Sequence, residues 1–550
     1  MATKNSQMIS RIRSTIETAF YANNVINIKS VGEAYELAKT SAGTIVTDMP
    51  IYNPEKLGLG PDAKVLLFND GAVTGRCAQA RRIIGQNGLS EDDMSPLVRD
   101  AVYESRFKKL YHAEVIVGLD ESFMVKAHLL IPEGHENILY NWMMNFQSMT
   151  KEYIERYYGS SIYENEGDIF IFSDPDWSNE EYPLGLTLFD PKNNCAALLG
   201  MKYFGEHKKG TLTLSWNIAN RNGYVACHGG QKRYNLNDGT QFVAGIFGLS
   251  GSGKSTLTHY KHENKYDVKI LHDDAFVIST EDGSSVALEP AYFDKTQDYP
   301  AGSPDNKFLV SAQNCGATRN EAGECVLLTE DIRNGNGRAI KSKFWAPNRV
   351  DHFEESINAI IWLMKDPTLP PILKINDPIL AATMGATLAT KRSTAERLSS
   401  GTDMNALVIE PYANPFRTYP LKDDFEKFRK MFEERGTSCF ILNTGHFGSK
   451  KVTKEITLEC LESIVESSGE YIPWGGLEDI QSYNIDGFEP DWNDEDYIQA
   501  VTDSFEKRVQ FLESNEKAHN DFDTLPHEAV ERLKKQIAQL KANLTLHKTA

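Results

Sequence analysis

The feature that most constrains the fold is a glycine-rich segment near the middle of the chain, GIFGLSGSGKSTLTH at residues 245–259. It contains the pattern G-x-x-x-x-G-K-[ST], formed by Gly248, Gly253, Lys254 and Ser255. Such glycines let backbone N–H groups point at phosphate oxygens, while the lysine supplies positive charge and the serine a hydroxyl for Mg²⁺. The apolar run QFVAGIFGL precedes the loop and a helix-forming run follows it, so the segment predicts a strand, a phosphate-binding loop and a helix.

We expect this loop to hold the phosphates of ATP, with the start of the following helix contributing to the site. The residues predicted to bind the nucleotide here are Gly248, Ser250, Gly251, Ser252, Gly253, Lys254, Ser255 and Thr256.

A second acidic feature follows, where the apolar run KILH ends in Asp273 and Asp274. Adjacent carboxylates repel each other unless a cation lies between them. Beside a phosphate-binding loop the natural cation is the metal of the nucleotide, although an acidic turn without a ligand is the alternative.

The length of 550 residues is too great for one ordinary core, so two lobes are expected. Short apolar runs alternate with helix-length segments, which indicates a mixed α/β fold. We place the lobes at residues 1–223 and 224–550, the second carrying the glycine-rich loop. The segment HENILYNWMMNFQS is predicted to be helical from its apolar spacing, and the C-terminal run LPHEAVERLKKQIAQLKANL is predicted to be a helix that packs on the body or joins an oligomer.

Charge and composition exclude some classes of partner. The formal net charge of −19 argues against a broad nucleic-acid surface or binding to an anionic membrane. No run approaches the ~18–20 apolar residues of a membrane span. The seven cysteines include no C-x-x-C pair and are typical of reduced thiols, so we expect a cytoplasmic protein with small-molecule partners.

Further motifs occur in an order that resembles ATP-dependent phosphoenolpyruvate carboxykinases, over about residues 65–500. They are GAVTGRCAQARR, KYFGEHKKGTLTLSWN, YVACHGG, LEPAYFDKT, NGRAIKSKFWAPN, LPPILKINDPILAATMGATLATKRSTAER, ANPFRTYP and FILNTGHFG. The resemblance implies a two-lobed carboxykinase-like α/β fold with a nucleotide-binding C-terminal lobe.

The resemblance also implies roles for individual residues. Arg76 corresponds to the arginine that binds the substrate carboxylate, Tyr203 to a substrate contact, and Lys208 to the lysine near the enolate and phosphoryl oxygens. Arg338 corresponds to the arginine at the γ-phosphate. Further implied residues are Glu289 and Lys295 close to nucleotide and substrate, Lys209, His228 and Asp274 around Mn²⁺, and Ser255 with Asp273 around the Mg²⁺ of ATP.

By this resemblance the chain decarboxylates and phosphorylates oxaloacetate to give phosphoenolpyruvate, CO₂ and ADP, as the lobes close over a cleft. One alternative is a related kinase that phosphorylates another small molecule or a protein. It is favoured by residues 77–81, which differ from the family's motif, and by Glu455, which stands where the family has a base-contacting arginine. The other alternative is a non-catalytic ATP-binding sensor, although Lys254 and the acidic pair at 273–274 are all present.

Overall fold

A computed structural model describes residues 9–68, 77–249, 251–298, 300, 302–329, 337–391 and 407–549. Within them the chain forms twelve α-helices and thirty strands, in a mixed α/β arrangement. The helices are α1 (Arg11–Ala19), α2 (Val31–Thr40), α3 (Glu91–Ser105), α4 (Glu136–Asn145), α5 (Lys151–Tyr158), α6 (Phe204–Arg221), α7 (Lys254–His259), α8 (Pro378–Ala386), α9 (Leu421–Glu434), α10 (Lys454–Glu466), α11 (Glu495–Lys517) and α12 (His527–Thr549).

The first fifteen strands are β1 (Val25–Ile28), β2 (Thr44–Pro50), β3 (Lys64–Phe68), β4 (Arg81–Ile83), β5 (Leu110–Asp120), β6 (Phe123–Pro132), β7 (Gln147–Ser148), β8 (Ile169–Asp174), β9 (Leu186–Asp190), β10 (Cys195–Leu199), β11 (Tyr224–Asn235), β12 (Gln241–Phe247), β13 (Asp267–His272), β14 (Ala275–Ser279) and β15 (Ser285–Ala287). The others are β16 (Tyr292–Lys295), β17 (Leu309–Gln313), β18 (Gly316–Arg319), β19 (Cys325–Leu328), β20 (Arg338–Lys341), β21 (His352–Phe353), β22 (Ala359–Met364), β23 (Ile372–Ile375), β24 (Ala389–Lys391), β25 (Leu407–Ile409), β26 (Ser438–Asn443), β27 (His446–Phe447), β28 (Lys450–Lys451), β29 (Tyr471–Pro473) and β30 (Ile480–Tyr483).

The chain divides into two compact units. Unit 1 comprises Met1–Ile218, Val286–Pro347 and Thr394–Thr402, and unit 2 comprises Ala219–Ser285, Asn348–Ser393 and Asp403–Ala550. This division differs from the single boundary expected after residue 223, because β16, β17 and β20 join β3 and β2 in one five-stranded sheet. Strand pairing therefore holds the segment 286–347 in the N-terminal unit.

Unit 1 contains an eight-stranded sheet in the order β1-β5-β6-β8-β10-β9-β4, with β7 also paired to β5. Its central strands are continuously buried, as expected for strands covered on both faces. Helices α1 and α3 bury their apolar faces in a core with this sheet. Each helix begins at a serine N-cap, Ser10 and Ser90, whose hydroxyl accepts a backbone N–H of the first turn.

Unit 2 is built on most of an eleven-stranded sheet, in the order β21-β15-β14-β11-β12-β22-β26-β23-β30-β29, and β13 also pairs with β11. Strand β12 runs parallel to β22, and β22 runs parallel to β26. Their apolar side chains, including Ile246, Ile361 and Leu442, are fully buried in one core. The glycine-rich loop leaves this sheet at the carboxyl end of β12, which is where ligands bind in open α/β sheets.

The C-terminal helix α12 packs against the rest of unit 2. Its Lys534 and Lys541 form ion pairs with Glu513 and Glu506 of α11, both at 2.7 Å, and Asn543 donates a hydrogen bond to the carbonyl of Gly475. Of the two arrangements open from the sequence, the structure shows packing on the body. Among the described helices, none combines the length and the apolar character needed to cross a membrane.

Candidate active site

The glycine-rich loop of unit 2 connects β12 to α7. Gly251 and Gly253 have φ angles of +82° and +92°, which L side chains rarely adopt. Gly248 has no room for a side chain, since an added Cβ would lie 2.4 Å from Ser252 Oγ and 2.9 Å from Leu363 Cβ. The φ angles therefore explain the glycines at 251 and 253, and the lack of space explains the glycine at 248. Ser250, also predicted to bind the nucleotide, lies outside the described residues.

Lys254, Ser255 and Thr256 form the first turn of α7, as the pattern predicts. The Lys254 side chain is buried, and its Nζ lies 3.8 Å from Asp274 Oδ1. Lys365, directly after β22, donates a hydrogen bond of 2.7 Å from its Nζ to the carbonyl of Gly251. The sequence did not predict this contact. This bond holds one wall of the loop, and no local motif around Lys365 identifies it.

The two adjacent aspartates after β13 have different partners. Asp273 Oδ2 lies 3.3 Å from His259 Nε2 of α7, whereas Asp274 Oδ1 lies 3.1 Å from His228 Nε2 of β11. The pKa of Asp273 lies below its ordinary value: burial raises it, but the imidazole of His259 and the charge of Lys254 outweigh that effect. Asp273 is therefore a buried, ionised carboxylate next to the glycine-rich loop.

His228 is oriented by a backbone carbonyl. Its Nδ1 lies 2.5 Å from the carbonyl oxygen of Ala413, so Nδ1 carries a proton and Nε2 is the ring nitrogen that faces Asp274. A lone pair and a carboxylate oxygen at 3.1 Å repel each other unless a proton or a metal ion joins them. The donor set of imidazole nitrogen and carboxylate suits a divalent cation such as Mn²⁺ or Zn²⁺, so these residues fit the expected metal.

His259 and His272 both contact the segment that carries the two aspartates. Neither histidine was predicted from the sequence. His272 Nδ1 accepts the backbone N–H of Asp274 at 3.1 Å and of Ala275 at 3.3 Å, which fixes the turn that carries both aspartates. The sequence signal was present, since His272 directly precedes the acidic pair.

In unit 1, Lys208 lies on α6 and is fully buried. Its Nζ forms an ion pair of 2.9 Å with Glu289 Oε1, and both side chains have no exposed surface. Asn145 Nδ2 donates a hydrogen bond of 2.5 Å to Glu289 Oε2. The structure thus brings Lys208 and Glu289 into direct contact, while the roles expected for them at the substrate and nucleotide stay predictions.

Tyr203 and Arg338, which were expected from the sequence to contact the substrate and the γ-phosphate, also lie in unit 1. Burial raises the pKa of Tyr203, and the neighbouring Arg338 guanidinium lowers it in part. Arg338 begins β20, where it is the register partner of Lys295 on β16 and of Gln313 on β17. The five-stranded sheet thus sets Arg338 beside Lys295, as neighbours on adjacent strands.

The N-terminal turn of α6 makes two long-range hydrogen bonds, one with Gln313 of β17 and one through its own Glu206. Gln313 Oε1 accepts the backbone N–H of Phe204 at 3.3 Å, and Glu206 Oε1 accepts the backbone N–H of Cys77 at 2.8 Å. Arg76, predicted to bind the substrate carboxylate, lies outside the described residues. Sequence reasoning missed Asn145, Gln313 and Glu206, because their partners are distant in the chain.

Lys209 occupies the next position of α6, and its Nζ lies 5.6 Å from the centre of the Trp216 ring. Lys209 belongs to unit 1, whereas His228 and Asp274 belong to unit 2. Their grouping around one metal ion stays a prediction.

Comparison with known proteins identifies the family. A model of the phosphoenolpyruvate carboxykinase family matches residues 59–481. An Aeropyrum pernix protein named phosphoenolpyruvate carboxykinase (ATP) is 26% identical over 357 residues, covering 60% of this chain and 68% of the relative. A glycosomal phosphoenolpyruvate carboxykinase (ATP) of Trypanosoma cruzi is 22% identical over 449 residues, covering 72% and 85%. The chain therefore belongs to the phosphoenolpyruvate carboxykinase family and is an enzyme of the ATP-dependent type, as the order of its motifs indicated.

Proposed function

We propose that this enzyme converts oxaloacetate and ATP into phosphoenolpyruvate, CO₂ and ADP, and that unit 2 is its nucleotide-binding lobe. Family membership supports the class of reaction, and the names of the relatives from Aeropyrum pernix and Trypanosoma cruzi agree with ATP as the phosphoryl donor. The strand, glycine-rich loop and helix formed by β12, residues 248–253 and α7 support the nucleotide site.

The observation that carries the proposal is the convergence of His228, Asp274 and Lys254. His228 Nε2 and Lys254 Nζ approach the same carboxylate oxygen of Asp274, at 3.1 Å and 3.8 Å. This arrangement puts the phosphate-binding lysine next to an imidazole–carboxylate pair that suits a metal ion. A simple kinase needs only the metal of its nucleotide, whereas a carboxykinase also needs a cation for the carboxylated substrate.

In the proposed reaction Arg76 holds the substrate carboxylate, and Tyr203 and Arg338 orient it by hydrogen bonding and charge. The bond between the leaving carboxylate and C3 of oxaloacetate breaks, and its electron pair forms the enolate as CO₂ departs. The enolate oxygen then attacks the γ-phosphorus, and the bond from that phosphorus to the β–γ bridging oxygen breaks to release ADP. No covalent intermediate with the protein is required.

The chain's own contribution is positioning and charge neutralisation. Lys254 and the backbone N–H groups of its loop hold the β- and γ-phosphates, and Lys295 adds positive charge beside Arg338. Lys208, whose ammonium group is held by Glu289, would stabilise the enolate and phosphoryl oxygens. Closure of the lobes would exclude water that could otherwise protonate the enolate.

Two metal ions belong to this proposal, Mg²⁺ with ATP and Mn²⁺ with the substrate. Ser255 and Asp273 would hold the first, and Lys209, His228 and Asp274 the second, with Lys209 neutral because only an unprotonated amine can bind a metal. The second ion would supply Lewis-acid polarisation of the substrate carbonyl.

The proposed partners are small molecules only, and the proposed location is the cytoplasm. The net charge of −19 supports the first point, since it opposes a broad nucleic-acid surface. The Trypanosoma cruzi relative is named as glycosomal, so fractionation of the source cells is the test of location.

The deciding experiment follows phosphoenolpyruvate formation from oxaloacetate and ATP, with Mg²⁺ and Mn²⁺, for the wild type, Lys254→Ala and Lys261→Ala. Lys261 is a matched control, because it is an exposed lysine just beyond α7. We expect turnover by the wild type and Lys261→Ala, and a fall of roughly 10²-fold or more in kcat for Lys254→Ala. Replacing ATP by GTP then tests the base preference.

The opposite result is also informative. Tight binding of ATP with no phosphoenolpyruvate under any combination of the two metals would refute the carboxykinase reaction. Phosphoryl transfer to another acceptor, lost in Lys254→Ala, would then establish the related-kinase alternative, and the altered segment at 77–81 would be the first place to look for its specificity.

A further inference from the structure

We propose that unit 1 contains a separate metal site, formed by His112, Glu114 and His128, that binds a divalent transition metal of the Zn²⁺ class. These residues lie on strands β5 and β6, and all of the contacts described below are within unit 1. The site is independent of the proposed reaction.

The strand register brings the three side chains to one face of the sheet. Glu114 on β5 is directly opposite His128 on β6 in the antiparallel pair, and His112 lies two residues before Glu114. Residues two apart in a strand share a face, as do residues directly opposite each other. The candidate ligand atoms of the three residues lie within 4.8 Å of one another.

The outer hydrogen bonds of the two histidines fix their protons away from the site. His128 Nε2 lies 2.9 Å from Asp168 Oδ2, a carboxylate that Lys126 Nζ approaches at 3.1 Å. An ionised carboxylate only accepts, so His128 Nε2 carries the proton. His112 Nδ1 lies 2.6 Å from Asn27 Oδ1, an acceptor as well, so this nitrogen also carries the proton.

The inner nitrogens therefore face each other, and either a shared proton or a metal ion must join them. His112 Nε2 and His128 Nδ1 are 2.9 Å apart, and Glu114 Oε1 lies 3.3 Å from His128 Nδ1. Three electron-pair donors at these distances repel one another unless a cation joins them. An imidazole that donates its outer N–H to a carboxylate or amide oxygen is the arrangement found around protein-bound metals.

The histidine rings are held in place before any metal binds. The His128 ring stacks on Phe170 with centroids 4.3 Å apart and on His112 with centroids 5.2 Å apart. Phe20, directly after α1, packs edge-on against both histidines. Glu114 keeps 37% of its side chain exposed, so an ion can reach the site from solvent.

The charges favour a divalent metal over a shared proton. The carboxylates of Glu114 and Asp168 outnumber the single ammonium of Lys126, which leaves net negative charge for the metal. Two imidazoles and one carboxylate suit Zn²⁺ with water as fourth ligand, whereas Ca²⁺ and Mg²⁺ prefer oxygen ligands.

A metal bound here would join β5 to β6 in the eight-stranded sheet. Because it binds the folded sheet and not the unfolded chain, it stabilises unit 1 as its concentration exceeds the Kd. The role of the site is thus to stabilise the fold.

The test uses Co²⁺ as a spectroscopic substitute for Zn²⁺, with full-length protein carrying His228→Gln to remove the histidine of the proposed catalytic metal site. We expect this protein to bind one equivalent of Co²⁺ with the visible absorption of a four-coordinate site. Adding His112→Gln should abolish the band, and adding Glu114→Gln should raise the Kd about 10-fold or more. His135→Gln is the matched control: His135, also in unit 1, pairs with Asp176 at 2.8 Å and should leave the band unchanged.

The thermal stability with Zn²⁺ and anomalous diffraction provide two independent tests of the same site. Zn²⁺ at a hundred times its Kd should raise the Tm of the His228→Gln protein by several degrees, that of the version with Glu114→Gln by about half as much, and leave that of the version with His112→Gln nearly unchanged. An anomalous diffraction peak about 2.0–2.1 Å from His112 Nε2 would support the same site. No cobalt band, a band of equal strength with His112→Gln, or an unchanged Kd with Glu114→Gln would overturn the proposal and leave the pair sharing a proton only.

Discussion

Breaking the buried ion pair between Lys208 and Glu289 should lower the free energy of unfolding by an amount that follows from its burial. Both side chains have no exposed surface, and the two charged atoms are 2.9 Å apart. Lys208→Met removes the positive partner and leaves an ionised carboxylate in the interior of unit 1. Breaking a buried pair in this way costs about 3–5 kcal/mol of unfolding free energy, equivalent to a fall in Tm of roughly 5–8 °C for a unit of this size.

A second substitution should recover most of that loss. Glu289→Gln removes the unpaired charge but keeps a side-chain oxygen for Asn145, which donates to Glu289 Oε2 at 2.5 Å. We expect the double variant Lys208→Met with Glu289→Gln to lose only about 1–2 kcal/mol, since its remaining defect is one neutral polar group. The coupling between the two substitutions would then be about 2 kcal/mol or more.

Thermal and urea unfolding of the wild type, both single variants and the double variant measure this coupling directly. Lys39→Met is the control, because Lys39 forms an exposed pair of 2.9 Å with Glu36 and its loss should cost less than about 1 kcal/mol. The reasoning is refuted if Lys208→Met costs no more than Lys39→Met, or if the double variant is no more stable than Lys208→Met.

Two further predictions concern the nucleotide loop and the helix that carries Lys208. Gly248→Ala puts a methyl group 2.4 Å from Ser252 Oγ and 2.9 Å from Leu363 Cβ, so the loop must shift. We expect the Kd for ATP, measured by calorimetry, to rise roughly 10- to 100-fold. An unchanged Kd would contradict this. Burial lowers the pKa of His207 from its ordinary 6.5 to about 3, so the stability that depends on its neutral form is complete above pH 6.5 and is lost as the pH falls towards 3. His207→Gln should reduce this acid dependence by up to about 1.4 kcal/mol per pH unit in urea titrations, and the exposed control His527→Gln should follow the wild type.

The parts of the fold that follow from local patterns were predictable. The strand before the glycine-rich loop and the helix after it are β12 and α7, and the segment HENILYNWMMNFQS contains α4. In each case the information lies within a short window, in glycine positions or in the spacing of apolar residues. The mixed α/β class followed from the alternation of such windows along the chain.

The division into units depended on pairing that no short window contains. Strand β3 lies next to β17, although more than two hundred residues separate them in the chain. This pairing transfers the segment 286–347 to the N-terminal unit. The order of segments along the chain does not reveal that a later segment pairs with an earlier strand. The register of distant strands is set by which residues are buried and not by local composition.

The same limit applied to the partners of the site residues. Lys208 was selected from its motif, but its contact with Glu289 and the support of that glutamate by Asn145 join three distant parts of unit 1. Lys365, whose ammonium group holds the carbonyl of Gly251, had no motif at all. Residue type predicts which groups can take part in chemistry, whereas the fold decides which of them meet.

Two pairs of adjacent charged residues show why neighbours in the sequence are poor guides to neighbours in a site. Successive residues of an α-helix are about 100° apart around its axis, so Lys208 meets Glu289 while Lys209 lies near Trp216. Both pairs of adjacent charges, at 208–209 and at 273–274, are therefore divided between different partners.

At the end of β13 the chain turns between Asp273 and Asp274, and their carboxylates reach His259 and His228 on different elements. Because the two carboxylates have different partners, the repulsion between them is reduced, and under the proposed function each would bind its own cation. Asp273→Asn and Asp274→Asn should consequently differ in their metal dependence. The first should weaken the binding of Mg²⁺ with ATP, and the second should weaken the binding of Mn²⁺ in the absence of nucleotide.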